Sequence, residues 1–292
     1  MTKDTHTQQE LDQMEEYERR LKAGLTPSPL VKRVQLEDIA GRENVSRVTM
    51  IENSDLVSTS VIRGKSLNFI TTSKRLLWQA YGQEHIEPEL LDFIDQIPSD
   101  ESYFDIGASN GIFALYAAAK SIKVVCFEPE VGNFSLLNHN TYLNHTIFSH
   151  DVCNFNVALS DITGMGSIYM EKFELGGHLK ILDNEVKRGH KLFTPDFKQI
   201  VLKYTLDDFL ELTKIPSPNY IKIDVDGSEQ QVLKGMPLTL KNHGLKKIFI
   251  ELEEEGANFD ACNEIFVSNG FRIESRKRVQ NYFGEENIVY TR

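Results

Sequence analysis

The pattern of apolar and polar positions changes character near residue 102. Beyond it, short apolar runs alternate with amphipathic stretches, the signature of an α/β sheet with mostly parallel strands. The spacing predicts strands at 103–106, 124–127, 155–159, 220–224 and 248–252, with a final pair near 271–275 and 287–291. Helices are predicted at 112–120, 131–142, 206–213, 230–234 and 258–269. An insertion at 166–203 interrupts the alternation, with 167–170 and 199–203 reading as extra strands around a loop that carries glycine and lysine. Upstream, residues 57–69 read as a β-hairpin turning at Arg63-Gly64-Lys65, and the stretch from Lys74 to Tyr81 carries the only tryptophan, Trp78. Pro88 opens a helix with Leu90, Leu91, Phe93 and Ile94 on its buried side and Pro98 after its end. In the first 45 residues Leu11, Met14, Tyr17, Leu21 and Leu25 recur at helical spacing, with Pro27 and Pro29 as stops. That predicts a helical extension over 1–45, docked on its own domain or forming a homo-oligomer with a second subunit. A single domain over 46–292 follows, comprising a hairpin and helix subregion at 46–100 and the insertion.

Composition narrows the partners more than the fold. Among 292 residues, 40% are hydrophobic and 26% charged, ordinary values for a globular chain. A formal net charge of -11 argues against a nucleic-acid backbone or an anionic membrane as the main partner. Arg276-Lys277-Arg278 is too short for a basic patch and reads as a solvated strand end. Cys126, Cys153 and Cys262 are scattered and lack CxxC spacing, so neither a disulfide framework nor a zinc site is indicated, and two of them read as small core hydrophobes. With no signal-peptide pattern and no apolar run of spanning length, a cytoplasmic location without a membrane span is the default expectation.

The candidate chemistry lies at the predicted strand ends. Tyr103-Phe-Asp-Ile-Gly-Ala-Ser-Asn-Gly-Ile-Phe113 is an apolar run that ends in an acid and breaks into a turn bracketed by Gly107 and Gly111. A dinucleotide fingerprint needs glycines at relative positions 0, 2 and 5, and Ser109 and Ile112 occupy the last two, which disfavours a pyrophosphate site. An acid two residues before the first glycine suits S-adenosylmethionine, whose amino end would meet Asp105 and whose carboxylate would meet N–H groups at the helix start. Glu128, at the end of the second strand, offers two acceptor oxygens to the hydroxyls of a ribose, whichever nucleoside carries it. Asp224, Asp226, Glu251 and Glu253 complete the set of acids at strand ends.

Phe104-Asp-Ile-Gly-Ala-Ser-Asn-Gly111, Phe127-Glu-Pro-Glu130, Val157-Ala-Leu-Ser-Asp161, Thr205-Leu-Asp-Asp208 and Ile221-Lys-Ile-Asp-Val-Asp-Gly-Ser-Glu229 with Val232-Leu-Lys-Gly235 resemble, in order and spacing, the FkbM-type family of S-adenosylmethionine-dependent methyltransferases. His85-Ile-Glu-Pro88 resembles that family's entry motif, so the resemblance spans roughly 57–292. It implies a Rossmann-like class I methyltransferase fold: a mostly parallel sheet in order 3-2-1-4-5-7-6, helices on both faces, and only the last strand antiparallel. Carried over residue by residue, it implies that Asp105, Gly107, Ala108, Ser109, Asn110 and Gly111 surround the methionine part and Glu128 holds the ribose. Pro129 and the stretch Asn156, Val157, Ala158 and Leu159 would border the adenine, and Glu87 would approach the methionine amino group. Asn133 either caps the next helix or reaches the cofactor. The chain departs from the family at Ser109 and Asn110, where the usual loop has Asn and an aliphatic residue.

In-line methyl transfer needs a positioned nucleophile and little general acid catalysis, because the thioether leaves neutral. A hydroxyl acceptor must still lose a proton, for which Asp224 is the first candidate base, with Asp226 and Glu251 next. Those three acids are also the only candidates for a divalent cation, a reading not favoured here. His178 and His190 read as solvated loop residues in preference to bases. Trp78 and Tyr81 read as a core pair in preference to a sugar platform. The family resemblance points to O-methylation of a sugar, a glycolipid or polysaccharide component, or a secondary metabolite. N-methylation of a small molecule and a non-catalytic cofactor-binding module remain open.

Overall fold

Tyr220–Ile223 is buried at every position, as a strand covered on both faces must be. Such strands define the core of the computed structural model, which describes residues 15, 18, 19, 22, 23, 40–52, 56–177, 180–183, 186, 187, 191, 192, 194–279 and 284–292. Two compact units are present, Met1–Asp55 and Leu56–Arg292. Helix α1 (Arg42–Glu52) lies in the first unit. The apolar stripe from Leu11 to Leu25 and its proline stops lie outside the described residues.

The second unit opens with the hairpin β1 (Val57–Ile62) and β2 (Lys65–Ile70), then α2 (Lys74–Ile86) and α3 (Pro88–Asp95). In α3 the proline occupies the first turn and Leu90, Leu91, Phe93 and Ile94 are buried, each contributing roughly 2 kcal/mol by area removed from water. There follow β3 (Ser102–Ile106), α4 (Ile112–Ala119), β4 (Lys123–Phe127), α5 (Val131–Asn144) and β5 (Cys153–Phe155). After the insertion come α6 (Leu206–Thr213), β12 (Tyr220–Ile223), α7 (Glu229–Lys234), α8 (Pro237–Lys241), β13 (Lys247–Glu253), α9 (Ala257–Ser268), β14 (Arg272–Arg278) and β15 (Glu285–Thr291). The main sheet has seven strands in spatial order β14-β15-β13-β12-β3-β4-β5. Counted within this sheet the order is 3-2-1-4-5-7-6, and β15 alone is antiparallel. One face, with Tyr103, Val124, Cys126, Tyr220 and Phe249, packs on α2, α3 and α4, and the other, with Phe104, Ile106, Phe127, Ile221 and Ile250, packs on α6, α7 and α9. Cys126 and Cys262 are buried among these residues, whereas Cys153 is exposed.

The predicted strand at 155–159 is two strands. Asn156 donates to the carbonyls of Glu128 and Pro129, which turns the chain out of the main sheet after Phe155. Ala158–Leu159 is β6 and joins β7 (Gly164–Met170), β8 (Lys180–Leu182) and β11 (Phe197–Tyr204) in a second, four-stranded sheet of order β6-β11-β7-β8. A short hairpin of β9 (Val186–Lys187) and β10 (Lys191–Leu192) completes the insertion. The hairpin β1–β2 is held on α5, where Asn140 accepts from the Ile70 N–H and Asn144 both accepts from and donates to the Asn68 backbone. Two buried amides thereby satisfy an edge strand that would otherwise keep open backbone groups.

Trp78 and Tyr81 do not close a core: they are 58% and 56% exposed. Helical phase explains this, since α2 turns Leu76, Ala80 and Gln83 inward and presents the two aromatics to solvent. Arg276, Lys277 and Arg278 pair with Glu286, Glu89 and Glu254, so this basic run is balanced locally. Among the described residues, no helix is long and apolar enough to cross a membrane.

Candidate active site

The strand order reverses between β3 and β12, and the chain leaves their carboxyl ends in opposite directions, which opens a crevice there. The crevice spans about 750 Å3 when the space that opens to solvent is counted. Ile106, Gly107 and Ser109 line it from β3, Phe127 to Glu130 from β4, and Val157 to Leu159 from the second sheet's edge. Asp224, Asp226 and Ser228 close one side, and Ile168, Gly177, Lys180 and Leu182 of the insertion close another.

The turn after β3 cannot be built without glycine. Gly107 has φ +82°, and a Cβ there would lie 1.8 Å from the carbonyl oxygen of Asp224. Ser109 also has a positive φ, +51°, an unusual conformation for a residue with a side chain. That conformation aims its N–H at Oε2 of Glu128, 2.8 Å away, while Oε1 accepts from the Glu130 N–H at 2.9 Å. Each oxygen keeps a further lone pair. Burial is the main force on this carboxyl and lifts its pKa to about 7, against the pull of those two N–H groups and of nearby Lys180.

Behind the turn lies a charged cluster that the sequence reading had only in part. Asp105 is 2% exposed, and its Oδ1 is 3.2 Å from Nζ of Lys222 but outside hydrogen-bonding geometry, so this buried oxygen retains acceptor capacity. Burial raises the Asp105 pKa and Lys222 opposes the rise. Nζ of Lys222 donates to the Gly107 carbonyl at 2.7 Å and lies 3.5 Å from Oδ2 of Asp224. Burial opposes the charge on Lys222, but Asp105, Asp224 and Glu87 outweigh it and hold the ammonium above its ordinary range. Glu87 is raised to about 8, first by burial and then by the Asp224 carboxylate. Lys222 was not singled out from the sequence, although a charge within a run of apolar strand residues calls for a partner.

The remaining predicted residues sort by contact. Asp224 and Asp226 line the crevice, but Glu251 does not, and neither do Glu87, Asp105, Ala108, Asn110, Gly111 or Asn156. Asp226 adopts φ +53° and accepts from the Lys180 N–H at 3.2 Å. Asn110 is buried, donating to Gln79 and accepting at its carbonyl from Asn140. Helix α5 is capped by Glu130, which accepts from the N–H groups of Gly132 and Asn133 and also pairs with Lys180. Asn133 lines the crevice and spends its amide on the Gly176 N–H and the Gly177 carbonyl. Glu130 and Lys180 were not singled out from the sequence, where an acid after proline and a lysine in an insertion look like surface. The proposed metal set does not assemble: Asp224, Asp226 and Glu251 are not gathered, and among the described residues no three His, Cys, Asp or Glu side chains could hold an ion. His178 and His190 lie outside the described residues.

Strand order and crevice are those of open α/β sheets, which take ligands at the switch point of strand order. The family model for the methyltransferase FkbM domain matches residues 105–273, and the chain belongs to that family. It is an S-adenosylmethionine-dependent methyltransferase. Hexuronic acid methyltransferase AglP of Haloferax volcanii is 23% identical over 181 residues, covering 62% of this chain and 69% of that protein. Methyltransferase 1 of Beauveria bassiana is 26% identical over 211 residues, covering 65% and 81%. The crystal structure of methyltransferase FkbM from Methylobacillus flagellatus KT aligns at 16% identity and a TM-score of 0.48, over 68% of this chain. This chain spans 45% of that protein's length.

The residues present fit S-adenosylmethionine. The backbone cradle at Gly107 admits no side chain, Glu128 has acceptor capacity left on both oxygens, and Asp105 keeps a buried acceptor beside a cluster with more carboxylates than ammonium groups.

Proposed function

We propose that the protein transfers a methyl group from S-adenosylmethionine to a hydroxyl of a carbohydrate-type acceptor. The observation that carries this reading is the Asp224 carboxylate: it lines the same crevice as Gly107 and Glu128, and its side chain is still 31% exposed. When bound, the cofactor supplies an electrophilic methyl group on a sulfonium. Glu128 would accept from the ribose hydroxyls, Val157, Ala158 and Phe127 would border the base, and the 107–111 turn would hold the methionine end, with the Glu87 carboxyl behind it as part of the charged cluster around Lys222. Asp224 would accept the proton of the acceptor hydroxyl as the oxygen–methyl bond forms and the sulfur–methyl bond breaks, the thioether leaving neutral as S-adenosylhomocysteine, a step for which a positioned base is worth ~100- to 10,000-fold. Ile168, Leu182 and Lys180 of the insertion border the space beside it and exclude water.

The sugar class is supported by the likeness to a hexuronic acid methyltransferase. The test is label transfer from methyl-labelled S-adenosylmethionine to a panel of uronic acids, neutral hexoses and amino compounds. Label in hydroxyl ethers of the sugars, reduced at least about 100-fold by Asp224→Asn, is the expected result. Label confined to amino acceptors, or unchanged by Asp224→Asn, would sink it.

A further inference from the structure

Lys222 does more than the charge balance of its surroundings requires. It lies in a strand buried along its whole length, where an ammonium is costly unless answered. The parallel register sets it beside Asp105 of β3, and that carboxylate alone would supply a counter-ion. Yet the shortest contact of Nζ is the 2.7 Å bond to the Gly107 carbonyl, compared with 3.2 Å to Asp105 and 3.5 Å to Asp224. The same two segments meet twice more. The Asp224 N–H donates to the Ile106 carbonyl at 3.1 Å, and Gly107 lies against the Asp224 carbonyl with no room for a methyl group.

We propose that Lys222 is a positioning residue for methyl transfer: from behind the sheet it clamps the donor-binding turn at Gly107 to the strand end that carries Asp224, so that turn and carboxylate are held in one fixed geometry. A charge-assisted bond from an ammonium whose side chain is 5% exposed is well suited to this, because little water competes for it. The proposal rests on reading the crevice as the donor site, and S-adenosylhomocysteine calorimetry on the unaltered protein tests that reading by itself.

The clamp is tested by comparing Asp105→Asn with the double variant Asp105→Asn/Lys222→Met. Asp105→Asn removes the nearer of the two ion-pair partners and leaves Asp224 and the bond to Gly107, and the second substitution removes the clamp without leaving Asp105 as an unpaired buried charge. S-adenosylhomocysteine affinity is expected to fall about tenfold or more from the single to the double variant. Amide exchange at residues 106–111 should accelerate, while thermal unfolding of the two variants stays alike. Equal affinities and equal exchange in the two variants would overturn the proposal. So would a double variant that fails to fold while Asp105→Asn folds, since Lys222 would then serve stability alone.

Discussion

At the scale of single residues, the crevice rests on positions that tolerate almost no change. Gly107→Ala would drive a Cβ into the Asp224 carbonyl at 1.8 Å and place alanine at φ +82°, so both backbone and packing oppose it. We expect a loss of roughly 3 kcal/mol or more of stability and no measurable S-adenosylhomocysteine binding, read by denaturant unfolding and calorimetry. Glu87 gives a prediction in pH. Its ordinary value is 4.5 and its folded value about 8, so the folded protein holds a proton that the unfolded chain releases. The unfolded chain therefore binds fewer protons across that window, and stability from this group falls as pH rises from about 4.5 to 8. Glu87→Gln should stabilise the ligand-free protein at pH 8.5, on the order of 2 kcal/mol after allowing for partial exposure, and change little at pH 4.5. Equal unfolding midpoints for the two proteins at pH 8.5 would remove burial as the cause. Asp105, Glu128 and Asp224 were legible in the sequence because an acid at the end of an apolar run has few other uses. Lys222 was missed because its partner is 117 positions away from it on β3 and is chosen by strand register, which one sequence does not state.

At the scale of elements, the sheet strands and most helices were legible from periodicity, whereas the seams between them were not. Phe155 to Leu159 reads as one apolar run, and only the Asn156 amide, bonded to Glu128 and Pro129, shows why it breaks in two. Thr205-Leu-Asp-Asp208 and Val232-Leu-Lys-Gly235 also acquire a physical purpose. Thr205 caps α6, Asp207 accepts from the N–H groups of Leu238 and Thr239 at the start of α8, and Gly235 packs where a Cβ would be 2.0 Å from the Ser160 carbonyl. These motifs build the scaffold and do not line the crevice. Asp207→Ala should cost ~1–2 kcal/mol in denaturant unfolding, as the loss of a helix cap does, and leave S-adenosylhomocysteine affinity unchanged. Asn133→Leu should act the other way round. It frees Gly176 and Gly177 from α5, so exchange at residues 174–177 should rise and cofactor affinity fall several-fold, with a smaller effect on stability than on affinity. Affinity that stays level while exchange rises would separate this loop from the donor site.

At the scale of the whole molecule, the chain divides into the units Met1–Asp55 and Leu56–Arg292, and every residue lining the crevice belongs to the second. A chain truncated to 56–292 should therefore fold with a single cooperative transition and bind S-adenosylhomocysteine within about twofold of the full chain. A truncated chain that is molten or unable to bind would show that the first unit is required. The second sheet carries a different lesson. Its β11 is parallel to Ala158–Leu159, a segment that lines the crevice, and Gln199 of the same strand bonds the Val131 N–H and the Pro129 carbonyl. The insertion is thus sewn into the crevice wall and is not an interchangeable cassette. Anyone grafting residues 164–204 from a relative to redirect acceptor choice would have to move the seam at Ala158, Leu159 and Pro129 with it, or accept a weaker grip on the methyl donor as the cost of a new substrate.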